Sequence, residues 1–88
     1  MSESTEIVLD FPVTVDAERY ERLSMRRWKV ADRLRIHKAG GDDADKEIRM
    51  MADLCGVSQQ VIMELDGADY DKLVSVYKSF SSTAQPKT

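Results

Sequence analysis

From Ile7 to Val15 the chain alternates in character: Ile7, Leu9, Phe11, Val13 and Val15 share one parity, and Asp10, Pro12 and Thr14 share the other. A period of two predicts a strand with one face buried. Pro12 has no N–H to give to a ladder, so the strand belongs at a sheet edge, or with that position turned to solvent. A short polar connection, Asp16-Ala17-Glu18-Arg19, leads to a run from Tyr20 to Met25 in which Leu23 and Met25 share a face. Residues 6 to 27 are therefore expected to form an antiparallel hairpin. A lone hairpin is marginal in water, so its apolar face must pack on the remainder of the chain.

Beyond the hairpin the spacing becomes helical. Val30, Leu34 and His37 recur at helical intervals between Lys29 and Ala39, and Gly40-Gly41 ends that short helix. Asp42 or Asp43 is suited to cap a second helix, whose stripe is Ala44, Ile48, Met51, Ala52 and Cys55, with Gly56 just past its end. Aspartates at 42, 43 and 45 favour the positive end of that helix dipole. Ser58 caps a brief helix through Leu65, broken by Asp66-Gly67. The strongest periodic signal comes last: Tyr70, Leu73, Val74, Tyr77 and Phe80 mark an amphipathic helix entered at Asp66 or Asp69. The expected fold class is α+β, an N-terminal β-hairpin packed on a small bundle of three to four short helices. Residues 6–80 form the single expected domain, with 1–5 and 81–88 as disordered ends, since neither end has much to bury.

Composition narrows the possibilities further. With 88 residues there is room for one core and no second lobe. The lone Cys55 allows no internal disulfide and no cysteine-built zinc site, which fits a reducing cytoplasm. The polar, acidic start predicts no secretory signal, and apolar runs of three residues fall far short of the roughly 20 needed to span a bilayer. The net charge of −3 hides strong segregation. Glu3 to Glu18 holds five acids and no base; Arg19 to Lys38 holds eight bases and two acids; Gly41 to Asp71 holds nine acids and two bases. Such blocks are expected to form complementary solvated faces of one fold.

No constellation assembles an active site. His37 is the only histidine and has no Cys or acid at metal-ligand spacing. Cys55 lies on an apolar stripe with no base nearby in sequence to activate it. The acid pairs Asp42/Asp43 and Asp69/Asp71 stand at helix starts, where capping accounts for them. Gly40-Gly41 lacks the Lys-Ser/Thr of a phosphate loop. No catalytic residue, cofactor or metal is expected.

Two segments point to binding instead. Residues 51–65, MADLCGVSQQVIMEL, have the spacing of a helix-turn-helix, with Gly56 in the turn and Val57, Ile62 and Leu65 at packing positions. A small DNA-binding regulator built on this unit is the alternative reading. Against it, no base lies between Arg49 and Lys72, whereas DNA affinity comes largely from Lys and Arg meeting phosphates. The basic stretch from Arg19 to Lys38, with Tyr20 and Trp28 interleaved, can track a nucleic-acid backbone or hold an acidic surface, either a partner's or the chain's own. Met25, Met50, Met51 and Met63 fill a core or form an adaptable apolar patch.

With these residues laid out, the chain resembles the small tail assembly chaperones of contractile-tailed bacteriophages and Mu-like prophages. The segments that carry the resemblance are LDFPVTVDAERYERLSMRRWKVAD (9–32), KAGGDDADKEIRMMADLCGVS (38–58) and ELDGADYDKLVSVYKSF (64–80). Trp28-Lys29 departs from the pattern, in which proline more often follows the Arg pair. The resemblance implies a non-enzymatic protein of the host cytoplasm that binds the tape measure protein while the tail tube polymerises around it. It also implies absence from the finished particle and, in many relatives, a longer product made by a programmed −1 frameshift. Tail tube subunits and self-association are further partner expectations; membrane and nucleic acid are not. A chaperone for a helical client needs an apolar groove with charged rims. Client contact is accordingly expected at Arg26, Arg27, Trp28, Met50 and Met63.

Overall fold

The computed structural model describes residues 4–81, with the side chain of Ser81 left aside. A two-stranded antiparallel hairpin, β1 (Ser4–Val15) and β2 (Glu18–Arg26), is followed by four helices: α1 (Val30–Ala39), α2 (Asp43–Cys55), α3 (Gln59–Glu64) and α4 (Gly67–Ser81). The α+β expectation therefore holds. Ser4 and Thr5, expected outside the fold, extend β1 and pair with Arg26 and Met25. Ser81 closes α4, and the expected tail lies, from residue 82 on, outside the described residues.

The connection between the strands is tighter than the polar segment 16–19 suggests. Only Asp16 and Ala17 turn the chain, both left-handed, with φ of 51° and 68°. Positive φ at both centres of a two-residue loop is the type I′ geometry that matches strand twist. Ala17 occupies it at a steric cost that glycine would not bear. Ala17→Gly is expected to stabilise the fold by about 1 kcal/mol, seen as a higher urea midpoint at unchanged slope.

Between Val8, opposite Arg22, and Val13, opposite Tyr20, the ladder is interrupted, and four residues of β1 stand against Glu21 alone. Pro12 sits in this bulge, where its missing N–H breaks no ladder bond. The interruption also corrects the expected parity. Ile7 and Leu9 are buried, but Phe11 is 56% exposed, because a bulge ends strict alternation.

One core unites the elements: Ile7, Leu9, Leu23 and Met25 of the hairpin meet Ile36 of α1, Met51 and Leu54 of α2, Val61 and Ile62 of α3, and Leu73 of α4. The α2 stripe is rotated from the expected one, since Ala44 is exposed while Met50 and Leu54 are buried. Asp42 caps α2, accepting from the Asp45 N–H at 2.9 Å, and Gly56 ends it left-handed at φ 67°. Ser58 caps α3. Asp66 caps α4 by accepting from the Ala68 N–H at 2.9 Å.

The largest correction concerns α1. Val30 and Leu34 face solvent, 78% and 53% exposed, and His37 is exposed as well; the buried residues are Asp32 and Ile36. Asp32 turns inward because its partners are there. It takes two bonds from the Arg26 guanidinium, at 2.8 and 2.9 Å, one from the Lys29 N–H at 2.8 Å, and another from Arg35. A buried carboxylate so fully bonded outweighs the pull of two aliphatic side chains toward the core.

Candidate functional site

α4 packs chiefly on the hairpin, and its N-terminal end is anchored there by Asp69, which is fully buried. In a regular strand successive N–H groups point to opposite edges, but at the β1 bulge both the Asp10 and Phe11 N–H groups donate to the Asp69 carboxylate, each at 2.9 Å. Lys72, one turn along α4, donates to the Val8 carbonyl at 2.9 Å and pairs with Asp10 and Asp69 at 3.1 and 3.4 Å. Burial pushes the Asp69 carboxyl up, but the two backbone donors and Lys72 outweigh it, and the group lies below its ordinary value. Of the two expected entry residues, Asp66 caps the helix, while Asp69 bonds to β1.

The other end of α4 is held by the Arg27-Trp28 corner between β2 and α1. Arg27 lies over the Phe80 ring, 5.1 Å from its centroid, and donates to the Phe80 carbonyl at 3.1 Å, a cation at the negative end of the helix dipole. Trp28 stacks on Tyr77 with centroids 6.0 Å apart, and the Arg33 guanidinium sits 4.6 Å from the indole.

With α4 fixed to the hairpin at both ends, a furrow is left between it and α2. One part, of about 420 Å³, has apolar walls from Ile36, Met50, Met51, Val74 and Tyr77, and a rim of Asp43, Lys46, Glu47 and Lys78. The other, of about 440 Å³, lies between Ala44 and Ile48 on one side and Ile62, Met63, Leu65 and Tyr70 on the other. Glu47 borders both parts, and its carboxylate accepts the Tyr70 hydroxyl at 2.6 Å, forming the ridge between them. Burial first, and then Glu47, push the Tyr70 phenol well above its ordinary value, so it stays a proton donor.

The candidate contact residues are distributed around this furrow. Met50 lines the first groove and Met63, 57% exposed, the second. Trp28 reaches the first groove through Tyr77, which it stacks on and which forms part of the wall. Arg27 braces the same end of α4, while Arg26 is occupied by Asp32. Sequence reasoning did not single out Tyr77, Val74 or Glu47 as contact residues. Tyr77 and Val74 belong to the α4 stripe, but an amphipathic face does not reveal whether it meets a core or an open groove.

The site offers apolar surface with charges of both signs. Cys55 is half-buried, and burial pushes its thiol up to about 11, far from a working nucleophile. Among the described residues no cluster of His, Cys, Asp and Glu could hold a metal ion, and no helix is long and apolar enough to cross a membrane. α2, Gly56 and α3 do form a helix-turn-helix, but α3 has six residues, buries Val61 and Ile62, and presents Gln59, Gln60, Met63 and Glu64 outward without a base. That surface has nothing with which to neutralise phosphates.

Neither the curated proteins nor the solved structures gave a match. The family described as phage tail assembly chaperone proteins, E, or 41 or 14, matches residues 6–82, nearly the whole chain, and the protein therefore belongs to the phage tail assembly chaperone family.

Proposed function

We propose that the protein is a non-catalytic chaperone that binds the tape measure protein in the host cytoplasm while the tail tube assembles. The observation that carries this reading is the family match over residues 6–82. The furrow between α2 and α4 supports it. Two apolar grooves in series, with methionine in each, suit successive apolar side chains of a long helical client, and the mixed rim of Asp43, Lys46, Glu47 and Lys78 suits its polar flanks. Contact is placed on Met63 and on the largely buried Met50 where it lines the groove, with Trp28 and Arg27 bracing Tyr77 and Phe80 of α4 and Arg26 tied to Asp32.

Co-expression with a phage tape measure protein tests both levels of the proposal. The tape measure protein is expected to be soluble and to co-purify with the wild-type chain. Met63→Asp, at an exposed position, is expected to reduce the co-purified amount about tenfold without changing the melting temperature, as loss of one central apolar contact does. Failure of the wild type to co-purify would overturn the client; undiminished capture by Met63→Asp together with Arg27→Ala would overturn the surface.

A further inference from the structure

We infer that the outward face of α1 is a docking surface for an acidic amphipathic helix of a partner protein. This rests on α1 alone and stands whether or not the client at the furrow is the tape measure protein. Val30 and Leu34, one turn apart, are 78% and 53% exposed and lie at the middle of the solvent-facing arc. At 100° per residue, Arg33 falls on one side of this pair and Lys38 on the other, with His37 between Arg33 and Val30; all three are exposed. The opposite face is fixed inward by Asp32 and Ile36, so α1 cannot roll to hide its aliphatic pair without breaking the bonds of Asp32 to Arg26 and Arg35.

No carboxylate among the described residues pairs with the cations of this face, although the Arg33 guanidinium also stacks on Trp28. Of the eight bases from Arg19 to Lys38, Arg19, Arg22, Arg26 and Arg35 have carboxylate partners. Among the described residues Arg27, Lys29, Arg33 and Lys38 have none, and Arg33 and Lys38 are the two that flank the apolar pair. The single acid of α1, Asp32, is buried on the far side. The complement of an apolar centre with a cation on each side is a helix with an apolar stripe bordered by Asp and Glu. Duplex DNA would answer the cations but leave Val30 and Leu34 against phosphates. An anionic bilayer would find two aliphatic side chains and no aromatic anchor on the face.

Fluorescence anisotropy with the full chain and a labelled synthetic helical peptide, leucines at i, i+4 and i+7 bordered by glutamates, tests this directly. Saturable binding that weakens with added salt is expected. Leu34→Asp and Lys38→Glu are each expected to reduce affinity about tenfold, while Met63→Asp on the furrow leaves it unchanged. A peptide with lysines in place of the glutamates is expected not to bind. Leu34→Ser, a milder change at the same exposed site, serves if the Asp variant melts early. Absence of binding by the acidic peptide, affinity that neither position affects, or stronger capture by anionic vesicles or duplex DNA through these residues would overturn the inference.

Discussion

Asp69→Ala is expected to lower the melting temperature by about 15 °C or more. Its carboxylate is the acceptor for two backbone N–H groups at the β1 bulge and sits against Lys72. Truncation leaves both N–H groups unpaired at a part-buried junction that β2 does not reach, and each such orphan costs about 1–3 kcal/mol. A total of about 3–5 kcal/mol is a large share of the 5–15 kcal/mol available to a small domain, and each kcal/mol moves the midpoint by about 4–8 °C at this size. Asp69→Asn separates charge from shape: its amide oxygen can still accept one N–H, but the amino group faces the other, so an intermediate loss is expected. The pH dependence has a definite sign. The folded-state carboxyl lies below its ordinary value, so the unfolded chain binds the proton first. The contribution is complete above the usual carboxylate value of about 4 and is lost as pH falls through the lower folded one. Thermal melts across the acid range should therefore be flatter for Asp69→Asn than for the wild type; equal slopes would remove the carboxylate from this role.

Asp69 also shows where reading the sequence reaches its limit. An acid in the first turn of an amphipathic helix is favoured by the dipole, and hydropathy cannot distinguish one that stays there from one that crosses to a strand 58 residues away. The hairpin was legible because Ile7, Leu9, Leu23 and Met25 bury on one face at period two, and α4 because its stripe recurs over three turns. Capping was legible for the same local reason: Asp42, Gly56 and Ser58 act on neighbours in the chain. The missing parts are tertiary. Phe11 leaves the packed face because the ladder opens at the bulge, and the type I′ turn is carried by Asp-Ala without its usual glycine. Of the methionines, Met25, Met50 and Met51 are buried, the last two also lining the first groove, while Met63 is exposed in the second, a division that composition alone does not make. The charge blocks were half informative. They do neutralise one another at Arg22 with Glu6 and Arg35 with Asp53, yet the block 19–38 keeps bases without a carboxylate partner among the described residues.

Asp32→Ala is expected to release α1 while leaving the hairpin folded, an effect visible by amide hydrogen exchange as loss of protection confined largely to residues 30–39. α1 buries only Asp32 and Ile36, so its attachment depends on the carboxylate that links it to Arg26 at the end of β2. The Arg26 guanidinium beside Asp32 holds that carboxyl far below the usual carboxylate range against the opposing push of burial, with the Lys29 N–H and Arg35 adding to the effect. Asp32 is 5% exposed along its side chain while Arg26 and Arg35 are 37% and 53% exposed, so the stranded arginines can recover water when it is removed. The cost is therefore about 2 kcal/mol, below the 3–5 kcal/mol of a pair buried on both sides. Protonation acts in the same direction: stability from Asp32 is present above the usual carboxylate value and disappears as pH falls toward the depressed one. Combining Asp32→Ala with Arg26→Met removes the less exposed of the two stranded cations and is expected to restore part of the lost protection, with a coupling between the two sites that separate contributions would not produce. Strictly additive losses would show that α1 is held by Ile36 alone. Recovery in the double variant would show that one ion pair holds both the inward face of α1 and the outward display of Val30 and Leu34.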